Sequence, residues 1–262
     1  MARPERVLAF VAAHPDDDVM GAAGLVALHR DDPSFRFVLV HATDGEAGRI
    51  ATGSRVSRGG LGAVRRQEDV AGWDAVGRQP DRHEWLGLPD GGLALLPDGL
   101  LEQRIASILA EERPDVVLTF GPDGITGHPD HVAVGEAATN AFSRLAGDPP
   151  GFRRLFHGAY PQSALDRLND RRVTAGLEAF DPHRVFEPRG IDDEHIACTV
   201  DQHAVLALIV AAFQAHRTQW EPYWSALDEQ TWRSVAGANH LVQAWPFRPP
   251  GTPLLADPFE GL

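Results

Sequence analysis

Two short runs hold most of the reactive side chains of this sequence: His14-Pro15-Asp16-Asp17-Asp18 near the start and His128-Pro129-Asp130-His131 near the middle. A histidine followed three residues later by an aspartate is a compact pair of metal ligands. One further histidine from the second run makes a three-ligand site that keeps a coordination position for water, the arrangement of a catalytic zinc. The chain has 12 histidines but a single cysteine, Cys198. Any transition-metal site must therefore be built from imidazole and carboxylate, a donor set that suits zinc or another borderline cation. Without a metal, the first run reads as a strand end, a proline turn and an acidic helix start, with Asp17 or Asp18 as the N-cap.

The elements around these runs explain how they would meet. Residues 7–13 are uniformly apolar, the pattern of a strand buried on both faces of a parallel sheet. Further strands are expected at 35–42, 83–88, 115–120 and 155–160, with helices at 19–29, 61–76, 100–112 and 132–145 between them. This alternation predicts an α/β fold, a Rossmann-like doubly wound and mostly parallel sheet of order 3-2-1-4-5 in a three-layer sandwich. In that order strands one and four are neighbours at the switch point, where ligands bind beyond the carboxyl ends of the strands. Both His/Asp runs leave these two strands. Residues 48–60 read as an exposed loop of functional length. After residue 160 the expectations are a helix over 163–180, a strand over 196–200, a helix over 202–216, and an irregular tail punctuated by Pro246, Pro249, Pro250 and Pro253. Residues 1–262 are read as one domain, a core over 1–160 and an elaboration over 161–262.

Composition narrows the function. The formal net charge of −13 leaves no basic stripe for nucleic acid or an anionic membrane. No run approaches the roughly 18 apolar residues of a membrane span. The lone cysteine excludes a disulfide framework and fits a cytoplasmic setting. All 24 basic residues counted as Lys or Arg are arginines, which excludes a Schiff-base lysine and a P-loop. The first turn also lacks the glycines of a dinucleotide site.

Together these runs resemble the zinc-dependent N-acetylglucosaminyl deacetylase family (PIG-L/LmbE-like). The resemblance is carried by Ala13-His14-Pro15-Asp16-Asp17, Thr43-Asp44-Gly45-Glu46-Ala47-Gly48, Arg66-Gln67-Glu68, Leu86-Gly87-Leu88-Pro89-Asp90-Gly91-Gly92, Gly127-His128-Pro129-Asp130-His131 and Ala215-His216-Arg217-Thr218-Gln219. It implies a hydrolase that removes an N-acyl group, N-acetyl first, from a small-molecule GlcNAc-type conjugate by attack of metal-bound water. Cleavage of a thiol conjugate's amide and a non-catalytic nucleotide- or metal-binding module are the alternatives. Self-association into a homo-oligomer is left open.

By resemblance, His14, Asp17 and His131 bind one Zn²⁺, for which iron(II) or another divalent ion can substitute. Asp16 is the general base. His128 stabilises the oxyanion or protonates the leaving amine, and Asp130 orients it. Glu46, Arg66 and Asp90 line the substrate pocket. Chemistry agrees with this division: adjacent Asp16 and Asp17 do not easily both chelate one small ion, and Pro129 keeps His128 outside the helix that carries His131. His29, His41, His83, His157, His183, His195, His203 and His240 show no ligand spacing and read as structural or surface residues. Trp220, Tyr223 and Trp224 read as packing residues or as a cleft wall.

Overall fold

The computed structural model describes residues 6–147, 149–220 and 228–262. Its centre is β1 (Arg6–Ala12), which pairs in parallel with β2 (Phe35–His41) on one side and β4 (Val116–Phe120) on the other. β3 (Arg82–Trp85) extends the sheet beyond β2, and β5 (Arg154–Pro161) extends it beyond β4, all in parallel. The expected order 3-2-1-4-5 is the observed one.

The alternation of side chains in β1 shows why three layers form. Leu8, Phe10 and Ala12 enter one core, with Leu25 and Val26 of α2 (Ala23–Leu28), Trp73 and Val76 of α3 (Leu61–Val76), and Ile209 of α8 (Leu206–Ala215). Val7, Ala9 and Val11 enter the other, with Ile105 and Leu109 of α4 (Leu100–Glu112) and Val134 and Phe142 of α6 (Pro129–Leu145). From Val7 onward the strand is buried on both sides and needs no polar face, hence its unbroken apolar run.

The helix expected over 19–29 is instead two short pieces, α1 (Asp17–Gly21) and α2, broken at Ala22. Gly21 lies directly on the Phe10 ring, where a Cβ would come within 2.4 Å, so the chain bends to follow the strand beneath it. A single distorted turn, α5 (Gly124–Gly127), precedes α6.

Beyond β5 come α7 (Gln162–Thr174) and the two-residue β6 (Gly190–Ile191), which pairs with the end of β5. The sheet then continues with two more strands, one near the strand expected over 196–200 and one that the periodicity did not reveal. β8 (Ala238–Trp245) lies antiparallel to β5, and β7 (Cys198–Asp201) lies antiparallel to β8 at the edge. Helix α9 (Glu229–Ala236) leads into β8 and seats Trp232, which stacks on Trp220. Tyr223 and Trp224 lie outside the described residues. The proline-rich tail packs as irregular chain, burying Leu255 and Phe259. Among the described residues no helix is long and apolar enough to cross a membrane.

Candidate metal centre and active site

β1 ends two residues before His14, and α6 begins directly after His128, so the two His/Asp runs meet where β1 and β4 lie side by side. The imidazoles of His14 and His131 are 5.3 Å apart between centroids. Asp17 offers one carboxylate oxygen to each: Oδ2 lies 3.4 Å from His14 Nδ1, and Oδ1 lies 3.2 Å from His131 Nε2. Asp17 Oδ2 also accepts the His14 backbone N–H at 2.7 Å. The carboxylates of the turn therefore bend back over it, and neither Asp17 nor Asp18 is an N-cap. That position belongs to Asp16, which adopts φ 107° and makes no side-chain cap. A non-glycine residue in this region is costly and is typically held by surrounding contacts at functional sites.

The other nitrogen of each imidazole is also engaged. His14 Nε2 lies 3.0 Å from Asp90 Oδ1 and 3.3 Å from Asp130 Oδ2. His131 Nδ1 faces the Gly124 carbonyl at 3.1 Å. Metal-binding histidines nearly always direct their second nitrogen to a carboxylate or carbonyl, which fixes the ring and its tautomer. Gly124 itself requires the absence of a side chain: its φ is +62°, and a Cβ would lie 3.0 Å from that of His131. Phe120 stacks on the His131 ring at 4.1 Å, setting it from the opposite side. Burial opposes a charge on His14, but the carboxylates of Asp130, Asp17 and Asp90 raise its pKa well above the ordinary value. Three carboxylates converging on one buried imidazole make a pocket that attracts positive charge. With two nitrogens and an aspartate, the residues present fit a divalent metal.

His128 completes the cluster without joining the same three donors. Its ring stacks on His131 with centroids 4.7 Å apart, and its Nδ1 accepts the backbone N–H of Asp130 at 3.1 Å. It is the N-cap of α6, as Pro129 dictates. Burial lowers its pKa to about 4, helped by the charges of His14 and His131. A neutral ring that accepts at Nδ1 carries its proton on Nε2 and is a hydrogen-bond donor there.

Three of the expected site residues make their contacts elsewhere than those roles suggest. The fully buried Asp130 carboxylate accepts the N–H groups of Gly91 at 2.6 Å and Leu93 at 3.0 Å and reaches His14, so it positions His14. Its hydrogen bond to His128 is made by its backbone N–H. Asp90 likewise has its carboxylate on His14 and on the Ala47 N–H at 2.8 Å, which places it behind the His14 ring. Arg66 bonds Asp44 at 2.6 Å and lies over Trp85, on the outer side of α3.

The arginine that enters the site is its neighbour Arg65, buried at 3% exposure, which bonds the Pro15 carbonyl, the Gly45 carbonyl at 2.9 Å and Asp16 Oδ2 at 3.0 Å. Helical spacing is the signal that distinguishes them. Leu61, Arg65, Asp69 and Trp73 recur every four residues along one buried face, and Arg66 is turned about 100° away.

Glu46 holds the Asp90 N–H with Oε1 at 2.9 Å, while its Oε2 is buried with no partner. Glu68 clamps the closing motif, accepting both the N–H and the hydroxyl of Thr218 at 2.8 and 2.6 Å. Thr218 and Gln219 in turn fasten the 48–60 loop through Ala51 and Arg49. Beside Asp17 and His131 lies a largely apolar cavity of about 230 Å³, walled by Phe10, Leu118, Ile209 and Phe213 among others.

A doubly wound sheet with a His₂Asp centre at its switch point defines a class of α/β metal-site proteins. The family described as PIG-L, GlcNAc-PI de-N-acetylase, matches over residues 9–142, about half of the chain, and the chain belongs to that family. The 1D-myo-inositol 2-acetamido-2-deoxy-alpha-D-glucopyranoside deacetylase of Thermobispora bispora is 30% identical over 270 residues, covering 91% of this chain and 88% of its own. Among solved structures, the N,N'-diacetylchitobiose deacetylase of Pyrococcus horikoshii aligns with a TM-score of 0.62 at 21% identity, covering 91% of this chain and 83% of its own. GalB, a 4-carboxy-2-hydroxymuconate hydratase of Pseudomonas putida, aligns with a TM-score of 0.61 at 16% identity, covering 95% of this chain and all of its own. These structural likenesses speak for the fold, which carries more than one chemistry.

Proposed function

We propose that this protein is a metal-dependent amidohydrolase that removes an N-acyl group, N-acetyl first, from a small-molecule GlcNAc-type amino-sugar conjugate. The observation that carries the reading is the placement of Asp16 and His128 around the His14–Asp17–His131 donor set. Zinc is the ion these donors suit best, and when bound it supplies Lewis acidity toward water and the amide carbonyl.

The chain's own groups do the rest. Asp16, held by Arg65 and by its left-handed backbone, takes a proton from the attacking water. His128 Nε2 donates a hydrogen bond to the carbonyl oxygen as it gains charge, since Nδ1 is committed to the Asp130 N–H. Asp90 and Asp130 fix the His14 ring. The unpartnered Glu46 Oε2 is an acceptor suited to a sugar hydroxyl. The apolar cavity beside Asp17 and His131 takes the acyl group. At about 230 Å³ it exceeds the roughly 150 Å³ that holds a benzene ring, so chains longer than acetyl are accommodated. The chain works as one domain, residues 161–262 supplying further strands of the same sheet, and a cytoplasmic setting fits the free, buried Cys198.

The test is release of free amine from N-acetyl, N-butyryl and N-hexanoyl glucosaminides by metal-assayed protein, with a chelated control. Turnover that is lost on chelation and restored by zinc is expected. Asp16→Asn should keep its metal and lose about 10²–10⁴-fold in rate. Unchanged turnover in Asp16→Asn would remove the base and the mechanism with it.

A further inference from the structure

Directly beneath the catalytic turn, a second group of metal-ligand side chains converges from three elements. His41 closes β2, His83 lies in β3, and Asp69 projects from α3. His41 Nδ1 and His83 Nε2 are 2.9 Å apart, and Asp69 Oδ2 is 3.6 Å from His83 Nε2. One donor atom from each residue lies within 4.8 Å of the others. Ligand bonds of about 2.0–2.2 Å to a tetrahedral ion put its donors roughly 3–3.6 Å apart; the His41–His83 and Asp69–His83 separations lie close to that range, and Asp69 Oδ1 is 3.8 Å from His41 Nε2. Trp85 stacks on both imidazoles at 4.5 Å and keeps them side by side.

We infer that His41, Asp69 and His83 form a second divalent-cation site, of zinc class, separate from the His14–Asp17–His131 centre. Three further observations support it. Asp69 is fully buried, yet neither of its carboxylate oxygens accepts a hydrogen bond from a nitrogen donor; the nearest imidazole nitrogens, of His83 and His41, stand off at 3.6 and 3.8 Å. A buried carboxylate left in that condition is strongly disfavoured, and one at 0% exposure needs a cation or a proton of its own. His41 Nε2 is already held by Asp18 Oδ1 at 3.1 Å, while Asp18 Oδ2 accepts the Trp73 indole N–H at 2.7 Å. That is the carboxylate–histidine arrangement that orients a ligand ring toward an ion on its other nitrogen. His216, at 2% exposure, also has both ring nitrogens unpartnered and packs on Gly72, one helical turn from Asp69.

The site has a consequence for the catalytic turn, because Asp18 Oδ1 also accepts the backbone N–H of Asp16 at 3.1 Å. An ion tying β2, β3 and α3 together would hold Asp18 and through it the strained backbone of Asp16. The competing arrangement is a proton shared between the facing carboxyls of Asp18 and Asp69.

Metal stoichiometry separates the two without reference to activity. Protein loaded with zinc and dialysed is expected to retain two equivalents, and His131→Ala and His83→Gln one each. One equivalent in the unaltered protein with none in His131→Ala would overturn the inference in favour of the shared proton. Two equivalents persisting in His83→Gln would place the second ion elsewhere and overturn it as well. Should His83→Gln not fold, the counts for the unaltered protein and His131→Ala decide alone. Failure of the deacetylase reading leaves these counts untouched.

Discussion

Asp90 Oδ1 stands 3.0 Å from the Nε2 of His14, on the side of the ring away from Asp17. The expectation from sequence was an aspartate facing sugar hydroxyls; its carboxylate is instead turned to His14, one of the proposed metal ligands. Asp90→Asn keeps an acceptor for the Ala47 N–H but withdraws the negative charge behind His14. Metal affinity, measured by competition with a chelator, should fall about 10–100-fold. Turnover at saturating metal should largely return. An unchanged affinity with a raised KM would move Asp90 back to the substrate.

The two neighbouring arginines of α3 should behave very differently. Arg65→Ala leaves the Asp16 carboxylate and the carbonyls of Pro15 and Gly45 without their donor in a buried place. The cost should be on the order of 2–4 kcal/mol in denaturant unfolding, together with loss of activity. Arg66→Ala removes a half-exposed ion pair with Asp44 and a stack on Trp85, together worth less than about 1 kcal/mol. Equal effects would show that the helix presents a different face.

Much of this organisation was legible in the sequence, and the exceptions have physical causes. β1 and β4 are buried on both faces, so their apolar runs stand out, and α3 and α4 begin and end where their patterning does. The two His/Asp runs follow adjacent strands, which makes their meeting derivable from sheet order alone. β8 was not legible because its inward positions include Gln243 beside Leu241, while Asn239, His240 and Val242 are only half-buried. α9 buries only Trp232 and Ala236, too few to set a period. Choosing Arg65 over Arg66 needs the face of α3, not its existence. The pairing of His41 with His83 depends on the β2–β3 register, in which His41 stands opposite Trp85, two residues beyond His83. No spacing along the chain encodes that register.

His157 predicts a pH dependence of stability independent of the proposed metal centre. Burial lowers its pKa to about 4 from the ordinary 6.5, and its Nε2 lies 2.9 Å from the Thr139 hydroxyl of α6. With the folded pKa depressed, the unfolded chain takes up a proton first as pH falls. His157 therefore supports the fold above pH 6.5, and that support is lost progressively down to about pH 4. Urea unfolding of the unaltered protein and His157→Gln at pH 7 and pH 4.5 checks this. The stability difference between them should shrink or reverse at the lower pH, and a constant difference would exclude the buried neutral ring.

Gly135 tests whether α6 must sit at its observed depth for His131 to reach Asp17. A Cβ on Gly135 would lie 2.5 Å from the Phe120 carbonyl oxygen, which is backbone of β4 and has little freedom to yield. Phe120 is also the residue stacked on His131, so the helix and the strand are pressed together one turn from that histidine. Gly135→Ala should push α6 outward, at a cost of about 1–3 kcal/mol despite alanine's better helix propensity. Metal affinity should fall with it, because His131 Nε2 moves away from Asp17 Oδ1, now 3.2 Å distant. Glu136→Ala, on the exposed side of the same helix, is the control and should leave both stability and metal affinity near their original values. If Gly135→Ala were as stable and as metal-avid as the control, the close approach of α6 to β4 would not be what sets the position of His131.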